Sequence, residues 1–125
     1  MTTRCLLGAK LHGATITCAN VEYHGSVSID AALLSASGIR PFERVDIYNL
    51  VNGERLTTYA IPGGPGEICL NGAAALKCEV GQRVIIAAYV WLDEPEVDAH
   101  RPKVLVLGPG NTVSETIVYD AAKPL

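Results

Sequence analysis

The chain has 125 residues, of which 49% are hydrophobic and 18% are charged, so we expect one compact domain spanning residues 1–125. Its formal net charge is -3 and its basic residues are scattered, which argues against a nucleic acid partner. No apolar run reaches the roughly 20 residues that cross a bilayer, and the start lacks a long apolar secretory signal. We therefore expect a cytoplasmic protein with no membrane partner.

The four cysteines contain no C-x-x-C pair and lie among apolar or strand residues. This placement favours buried, reduced side chains over a metal site or a disulfide. The three histidines are isolated and lack the spacing that chelates an ion. We expect no metal.

The first part of the chain contains strand-like segments on both sides of Gly25-Ser26, followed by a short helix from near Asp30 to Gly38. Glycine and serine are common turn formers, so an ordinary turn is one interpretation of this step. A chemical interpretation is also open, because glycine lets its carbonyl be approached closely and its peptide be strained at least cost. An N-to-O acyl shift by the Ser26 hydroxyl needs such a peptide.

Residues 45–51 alternate apolar and polar side chains, as a half-buried strand does. Asn52-Gly53 then predicts a tight two-residue hairpin with positive φ at both positions, and residues 54–61 return as a strand. Period two places Arg55 and Tyr59 on one face, roughly 13 Å apart, and Thr58 on the other.

The glycine-rich loop at residues 62–66 matches neither common phosphate-binding motif. A short strand at residues 67–70 leads into residues 71–76, which read as a helix start with Asn71 as its cap, or as small residues that let another group approach the backbone.

The apolar, β-branched run at residues 83–92 predicts a central strand covered on both faces, with Trp91 in the core or an interface. Residues 93–98 predict a solvated acidic turn, and two further strands at 103–107 and 116–119 precede a loose tail. Six or seven short strands with two short helices suggest a closed barrel.

Several short motifs recur in a characteristic order around the single Gly-Ser step. They are Lys10-Leu11-His12, Tyr23-x-Gly25-Ser26-Val27-x-Ile29-Asp30, Asn52-Gly53-x-Arg55-x-x-Thr58-Tyr59-Ala60-Ile61 and Asn71-Gly72-Ala73-Ala74-Ala75. Together they resemble the pyruvoyl-dependent aspartate 1-decarboxylases over residues 4–107, nearly the whole chain.

The resemblance implies a mainly β fold, a double-psi β-barrel with two short helices, assembled as a homotetramer. It implies autocatalytic cleavage between Gly25 and Ser26 into a small chain, 1–25, and a large chain, 26–125, either spontaneously or with a maturation factor. The cofactor would be a covalent pyruvoyl group derived from Ser26, without metal or pyridoxal phosphate. The activity would be decarboxylation of L-aspartate to β-alanine and CO2 for pantothenate and coenzyme A biosynthesis.

The same resemblance assigns roles to the catalytic candidates. Ser26 would become the electron-accepting pyruvoyl group. Thr58 would donate to the Gly25 carbonyl oxygen as it turns negative during the acyl shift. Tyr59 would deliver a proton to the carbanion left by loss of CO2.

The remaining candidates would bind or support. Arg55 offers a planar fork and Lys10 a point charge for binding the two carboxylates of aspartate. Which of the two side chains binds which carboxylate is left open. The groups that would orient the substrate or support the site are Asn71, Gly72, Ala73, Ala74, His12 and Tyr23. Taken singly, Lys10 also fits a solvated edge lysine, Arg55 a surface cation and Tyr59 a core aromatic.

Two positions and one loop depart from the common family pattern: Leu76 replaces a frequent histidine, Tyr48 replaces a frequent tryptophan, and the loop at residues 62–66 is short and uncharged. These departures leave open a divergent pyruvoyl decarboxylase for another amino acid. A second alternative, of a different class, is a non-catalytic barrel.

Overall fold

The structure is a computed structural model that describes residues 2–123. Strands dominate it, which confirms the mainly β class. The nine strands are β1 (Thr3–Thr15), β2 (Cys18–Asn20), β3 (Ser26–Asp30), β4 (Arg44–Asn49), β5 (Arg55–Gly63), β6 (Ile68–Asn71), β7 (Arg83–Asp93), β8 (Lys103–Leu107) and β9 (Val113–Val118).

All nine strands form one mixed sheet in the order β2-β6-β3-β5-β4-β7-β1-β8-β9. One apolar core takes side chains from seven of these strands and from the first helix, so the sheet curves around a single interior as the predicted barrel does. The hydrogen-bond ladder runs from β2 to β9 without joining these two edge strands within residues 2–123.

Two α-helices accompany the sheet, α1 (Ala31–Ser37) and α2 (Glu94–Val97), with 3₁₀ helices at Gly72–Lys77 and Pro109–Asn111. Within residues 2–123, no helix has the length and apolar character to span a membrane.

The first helix is confirmed at both ends. The Asp30 side chain accepts a hydrogen bond from the Ala32 N–H at 2.8 Å, and Gly38 ends the helix with a φ of 83°. The acidic segment is more ordered than predicted. It forms the single turn α2, because Asp93 and Glu96 make a reciprocal capping box.

The predicted two-residue hairpin is wrong. The loop between β4 and β5 spans residues 50–54, and of its residues only Gly53 has a positive φ, at 75°. The buried Asn49 side chain explains the wider loop, because its Oδ1 accepts from the Val51 and Asn52 N–H groups at 2.8 and 3.3 Å. An Asx-type turn that starts at Asn49, before the Asn-Gly pair, therefore reverses the chain direction.

Strand β7 is central, as predicted, since it pairs with β4 and β1. Its predicted cover on both faces is wrong at the carboxyl end. Pairing with β4 stops at Ala87, and beyond it Tyr89 and Trp91 are 40% and 74% exposed. Trp91 therefore lies on the surface of the single chain and outside its core.

Buried Asn111 ties two parts of the sheet together. Its side chain accepts from the Thr15 N–H at 2.8 Å and donates to the carbonyls of Thr15 and Gly66 at 3.0 and 2.9 Å. Asn111 thus joins the end of β1 to the loop before β6, which lie in different parts of the strand order. It adopts a positive φ of 58°, which asparagine tolerates better than most residues.

The predicted loose tail is anchored as far as it is described. The Ala121 N–H donates to the His100 carbonyl at 3.1 Å, and the Asp120 carboxylate pairs with Arg101 at 3.1 Å. Residues 124 and 125 lie outside the described part of the chain.

Candidate active site

Ser26 opens strand β3 and is 1% exposed. Its Oγ accepts a hydrogen bond from Asn71 Nδ2 at 2.9 Å and donates a longer one to the His24 carbonyl at 3.4 Å. Antiparallel pairing of β3 with β6 places Ser26 directly opposite Asn71. The hydroxyl is therefore held by the sheet register and by a side-chain donor, which an ordinary solvated turn would not provide.

Asn71 precedes the 3₁₀ helix, yet its side chain makes no capping bond. Its Nδ2 instead donates to both Ser26 and Ser28, at 2.9 and 3.1 Å, and the Cys69 thiol donates to its Oδ1 at 3.6 Å. The interpretation of Asn71 as a helix cap is thus wrong. Its amide is oriented from both ends toward the serine.

Gly72 touches the backbone of Gly25. A Cβ added at Gly72 would lie 2.8 Å from both the Cα and the N of Gly25 and 3.0 Å from the Tyr23 carbonyl oxygen. The φ of Gly72 is also positive, at 65°. Gly72 therefore allows the Gly25-Ser26 peptide to pack against the start of the 3₁₀ helix.

Gly25 itself is less constrained than its neighbour. A Cβ built on it meets no atom within 4 Å, and it is not among the residues with positive φ. The folded chain alone does not require glycine at position 25. A chemical requirement would arise from approach to its carbonyl.

An open pocket of about 420 Å³ lies beside Gly25. Parallel pairing sets Val27 opposite Ala60, and two residues earlier on each side stand Gly25 and Thr58, both of which line this pocket. The other lining residues are Leu56, Thr57, Tyr59, Ala73, Ala74 and Lys77. The pocket thus gathers five of the predicted site residues, and one of them, Gly25, directly precedes the buried Ser26.

Arg55, Lys10 and His12 lie elsewhere, on the outer face of the sheet. Strand register sets Arg55, Tyr48, Ile85 and His12 in one row across β5, β4, β7 and β1, a span of about 14 Å between the end residues. Lys10 lies two residues before His12 on β1, and none of the three basic residues lines the pocket beside Gly25.

Arg55 stacks on Tyr48, with its guanidinium carbon 4.7 Å from the ring centroid. The Tyr48 and Tyr89 hydroxyls are 2.9 Å apart, and this hydrogen bond, together with burial, raises the pKa of Tyr48 to about 12. Tyr48 stays a neutral phenol at physiological pH. Its ring therefore offers the Arg55 guanidinium an uncharged cation-π surface.

His12 carries a buried Nδ1 that has no hydrogen-bond partner among the described residues. Burial lowers the pKa of His12, and the positive charges of Lys10 and Arg83 lower it further. The imidazole is thus kept neutral with one polar atom free, as suits a supporting group beside a ligand. Tyr23 is exposed and packs edge-to-face on His24 at 5.8 Å, away from this row.

Sequence reasoning missed five residues at or near the site: Ser28 and Cys69, which contact Asn71, and Leu56, Thr57 and Lys77, which line the pocket. Ser28 and Cys69 orient Asn71, and their signal was available in the alternation of β3 and β6, because Ser26, Ser28, Cys69 and Asn71 share one face. Lys77 lines the pocket while its Nζ pairs with Glu54 at 2.8 Å. Nothing in its local sequence pointed to the pocket.

No cluster of three or more His, Cys, Asp or Glu side chains within residues 2–123 is placed to hold a metal ion. Fold and site together define a small mainly β protein in which an exposed Gly25 leads directly into the buried Ser26.

Comparison with known proteins identifies its family. Residues 1–114 match the family model described as aspartate decarboxylase. The chain therefore belongs to the aspartate decarboxylase family.

Curated relatives agree with the family model. A protein of Methylibium petroleiphilum named aspartate 1-decarboxylase is 53% identical over 112 residues, covering 88% of this chain and 93% of the relative. Proteins of the same name from Desulfotalea psychrophila and Neisseria meningitidis are 53% and 49% identical, covering 90% and 94% of this chain and 96% and 94% of their own lengths.

Proposed function

We propose that this protein decarboxylates L-aspartate to β-alanine and CO2 and so serves pantothenate and coenzyme A biosynthesis. Membership of the aspartate decarboxylase family and relatives named aspartate 1-decarboxylase support the activity. The observation that carries the proposal is the buried Ser26 hydroxyl, held by Asn71 at 2.9 Å directly after Gly25.

Maturation cuts the single 1–125 domain between Gly25 and Ser26. The Ser26 Oγ attacks the Gly25 carbonyl carbon and its proton passes to the leaving nitrogen, which gives an ester. Elimination releases the Gly25 carboxylate and leaves dehydroalanine, which water hydrolyses to a pyruvoyl group and ammonia. Asn71 keeps Oγ in place, and the hydroxyl of Thr58, at the pocket beside Gly25, donates to the oxygen that becomes negative.

The surroundings of Ser26 fit the pyruvoyl group. Position 26 is buried, has an amide donor at 2.9 Å and borders an open pocket with small side chains at Ala73 and Ala74. The group supplies a ketone that condenses with the substrate amine and accepts electrons as CO2 leaves, without metal or pyridoxal phosphate. Tyr59 lines the same pocket and returns a proton to the substrate carbon.

Substrate carboxylates are bound by Arg55 and Lys10, with His12 as a neutral supporting group. These side chains lie outside the pocket of their own chain, on the outer face of the sheet. The chain also exposes large aromatic side chains, with Trp91 on β7 and Phe42 beside Tyr59 among the most exposed. In a homotetramer, the outer face of one copy would cover the pocket of another, which would bring the basic side chains to the pocket and bury the exposed aromatic side chains. Tyr23 and Gly72 then lie on either side of the bond that is cleaved.

The intact mass of purified protein tests this function. The expected result is a fragment of residues 1–25 and a second fragment that begins with a pyruvoyl group at position 26, with release of β-alanine from aspartate. Ser26→Ala should leave a full-length, folded, inactive chain, whereas Ser35→Ala on the exposed side of α1 should be cut normally. A full-length wild-type chain without β-alanine production, given time and any helper protein, would refute the proposal.

A further inference from the structure

Two of the free cysteines lie side by side. Cys18 on β2 and Cys69 on β6 are register partners in a parallel pair, and the structure has both as free thiols. Partners on neighbouring strands are about 4.8 Å apart at Cα with side chains on the same face. That separation lies within the usual Cα range for a disulfide, roughly 4.4 to 6.8 Å.

The two thiols differ in environment. Cys18 is half-buried, whereas Cys69 is buried and donates to Asn71 Oδ1. Burial, and after it the hydrogen bond with Cys18, raises the pKa of Cys69 to about 12. Cys69 therefore stays protonated at neutral pH, and Cys18 is the sulfur that a dissolved oxidant meets first.

We infer that Cys18 and Cys69 form a peroxide-responsive dithiol site that closes to a disulfide next to Asn71. The expectation of buried cysteine side chains is right for Cys69 and Cys78 and wrong for Cys5, which is exposed.

The chemistry balances with hydrogen peroxide as oxidant. Cys18 gives up its thiol proton and attacks one peroxide oxygen, which yields a sulfenic acid and one water. The Cys69 sulfur then attacks the Cys18 sulfur, the S–O bond breaks, and the Cys69 proton passes to the departing hydroxide, which leaves as a second water. Two thiols are oxidised to one disulfide while one peroxide is reduced to two waters.

Closure has two consequences. Cys69 loses the proton that it donates to Asn71 Oδ1, so one of the contacts that orient the Asn71 amide toward Ser26 disappears. The bond also links the segment before Gly25 to the segment after it. This second consequence, a covalent tether between two chains, rests on the proposed cleavage, whereas the disulfide itself does not.

Tryptic mapping separates the four cysteines completely. Cleavage after lysine and arginine, except before proline, puts Cys5 in peptide 5–10, Cys69 in 56–77 and Cys78 in 78–83. Cys18 falls in peptide 11–44 of an uncut chain, or 11–25 of a chain cut after Gly25. The length of the Cys18 peptide therefore shows whether the chain has been cleaved. Whether this peptide is linked to peptide 56–77 shows, independently, whether the disulfide has formed.

Purified full-chain protein is treated with hydrogen peroxide, blocked with N-ethylmaleimide and digested without reductant. We expect the Cys18 peptide joined to peptide 56–77, and release of both by dithiothreitol. Cys78→Ser should retain this linkage, whereas Cys18→Ser and Cys69→Ser should abolish it. Free, alkylated Cys18 and Cys69, or linkage of either to Cys5 or Cys78, at a peroxide dose that fully oxidises glutathione would overturn the inference.

A rate measurement tests the effect on Asn71. Oxidised, uncut protein should process about two- to tenfold more slowly than reduced protein, the size expected for loss of one hydrogen bond. Cys18→Ser should process normally and ignore peroxide. Equal rates in oxidised and reduced wild-type protein would remove the proposed coupling to Asn71 even where the disulfide forms.

Discussion

Ser26 and Arg55 lie in opposite kinds of environment. Ser26 is buried and bonded within its own chain, beside a glycine that contacts the neighbouring backbone. Arg55 is exposed, stacks on the Tyr48 ring and is not among the residues that line the pocket. The buried region has fixed geometry that suits the proposed bond cleavage within one chain. The outer face carries charges that, in the proposed assembly, would meet substrate only where another copy covers them.

Changing Gly72 should break the buried region most severely. Gly72→Ala puts a Cβ 2.8 Å from Gly25, so we expect the scissile peptide to shift and processing to slow at least about 100-fold, by analogy with small displacements of reacting groups. Gly53→Ala is the matched control, because it has the same kind of positive φ, 75°, with no atom within 4 Å. Equal processing rates of the two variants, measured by intact mass, would show that the contact is unimportant.

Removing the Asn71 amide should have the next largest effect. Asn71→Ala deletes the donor to Ser26 Oγ, and we expect cleavage to slow about 10- to 100-fold, corresponding to about 1.4–2.7 kcal/mol. Ser28→Ala deletes only the second acceptor of the same amide and should slow cleavage less than fivefold. A time course of cleavage for both variants ranks the contacts. Slower cleavage in Ser28→Ala than in Asn71→Ala would reverse the proposed roles.

Arg55→Lys tests the outer face alone. Loss of the planar fork should raise the KM for aspartate about 5- to 30-fold, while cleavage at Gly25 continues at the normal rate. Arg40→Lys, on an exposed loop residue, should change neither quantity. Steady-state kinetics and intact mass on the same preparations check both parts. Impaired cleavage in Arg55→Lys would connect the two regions that the structure keeps apart.

The smallest effect concerns pH and His12. Because burial lowers the pKa of His12 in the folded chain, the unfolded chain binds its proton more readily. Its contribution to stability is full above about pH 6.5 and is lost as pH falls through the lower folded pKa. His12→Gln should therefore lose less stability than wild type between pH 8 and pH 5, measured by urea unfolding. An unchanged pH dependence would contradict the assignment.

The predictable parts of the fold depended on local signals. Asp30 and Gly38 marked the ends of α1 correctly, because capping acts over a few residues. The hairpin predicted from Asn52-Gly53 was wrong because the side chain of buried Asn49 accepts hydrogen bonds from the N–H groups of the turn. The cover of β7 was overestimated because an apolar strand does not reveal where its neighbour ends, and of the two places predicted for Trp91 only the core is excluded.

The candidate site shows the same division. Five pocket residues followed from the family motifs, and the alternation of β3 and β6 could have added Ser28 and Cys69. The role of Asn111 could not be predicted, because its three hydrogen bonds to Thr15 and Gly66 join segments that are distant in sequence. Contacts of that kind are set by the folded chain as a whole.

Strand β1 has a further consequence. It lies inside the sheet between β7 and β8, third from the β9 edge, yet all its residues precede Gly25. After cleavage, the small chain 1–25 would thus remain bound within the sheet of the large chain, as a peptide does in fragment complementation. The small chain could not dissociate unless the core unfolded. A synthetic copy of residues 1–25 that is added later should bind only while the large chain is still unfolded.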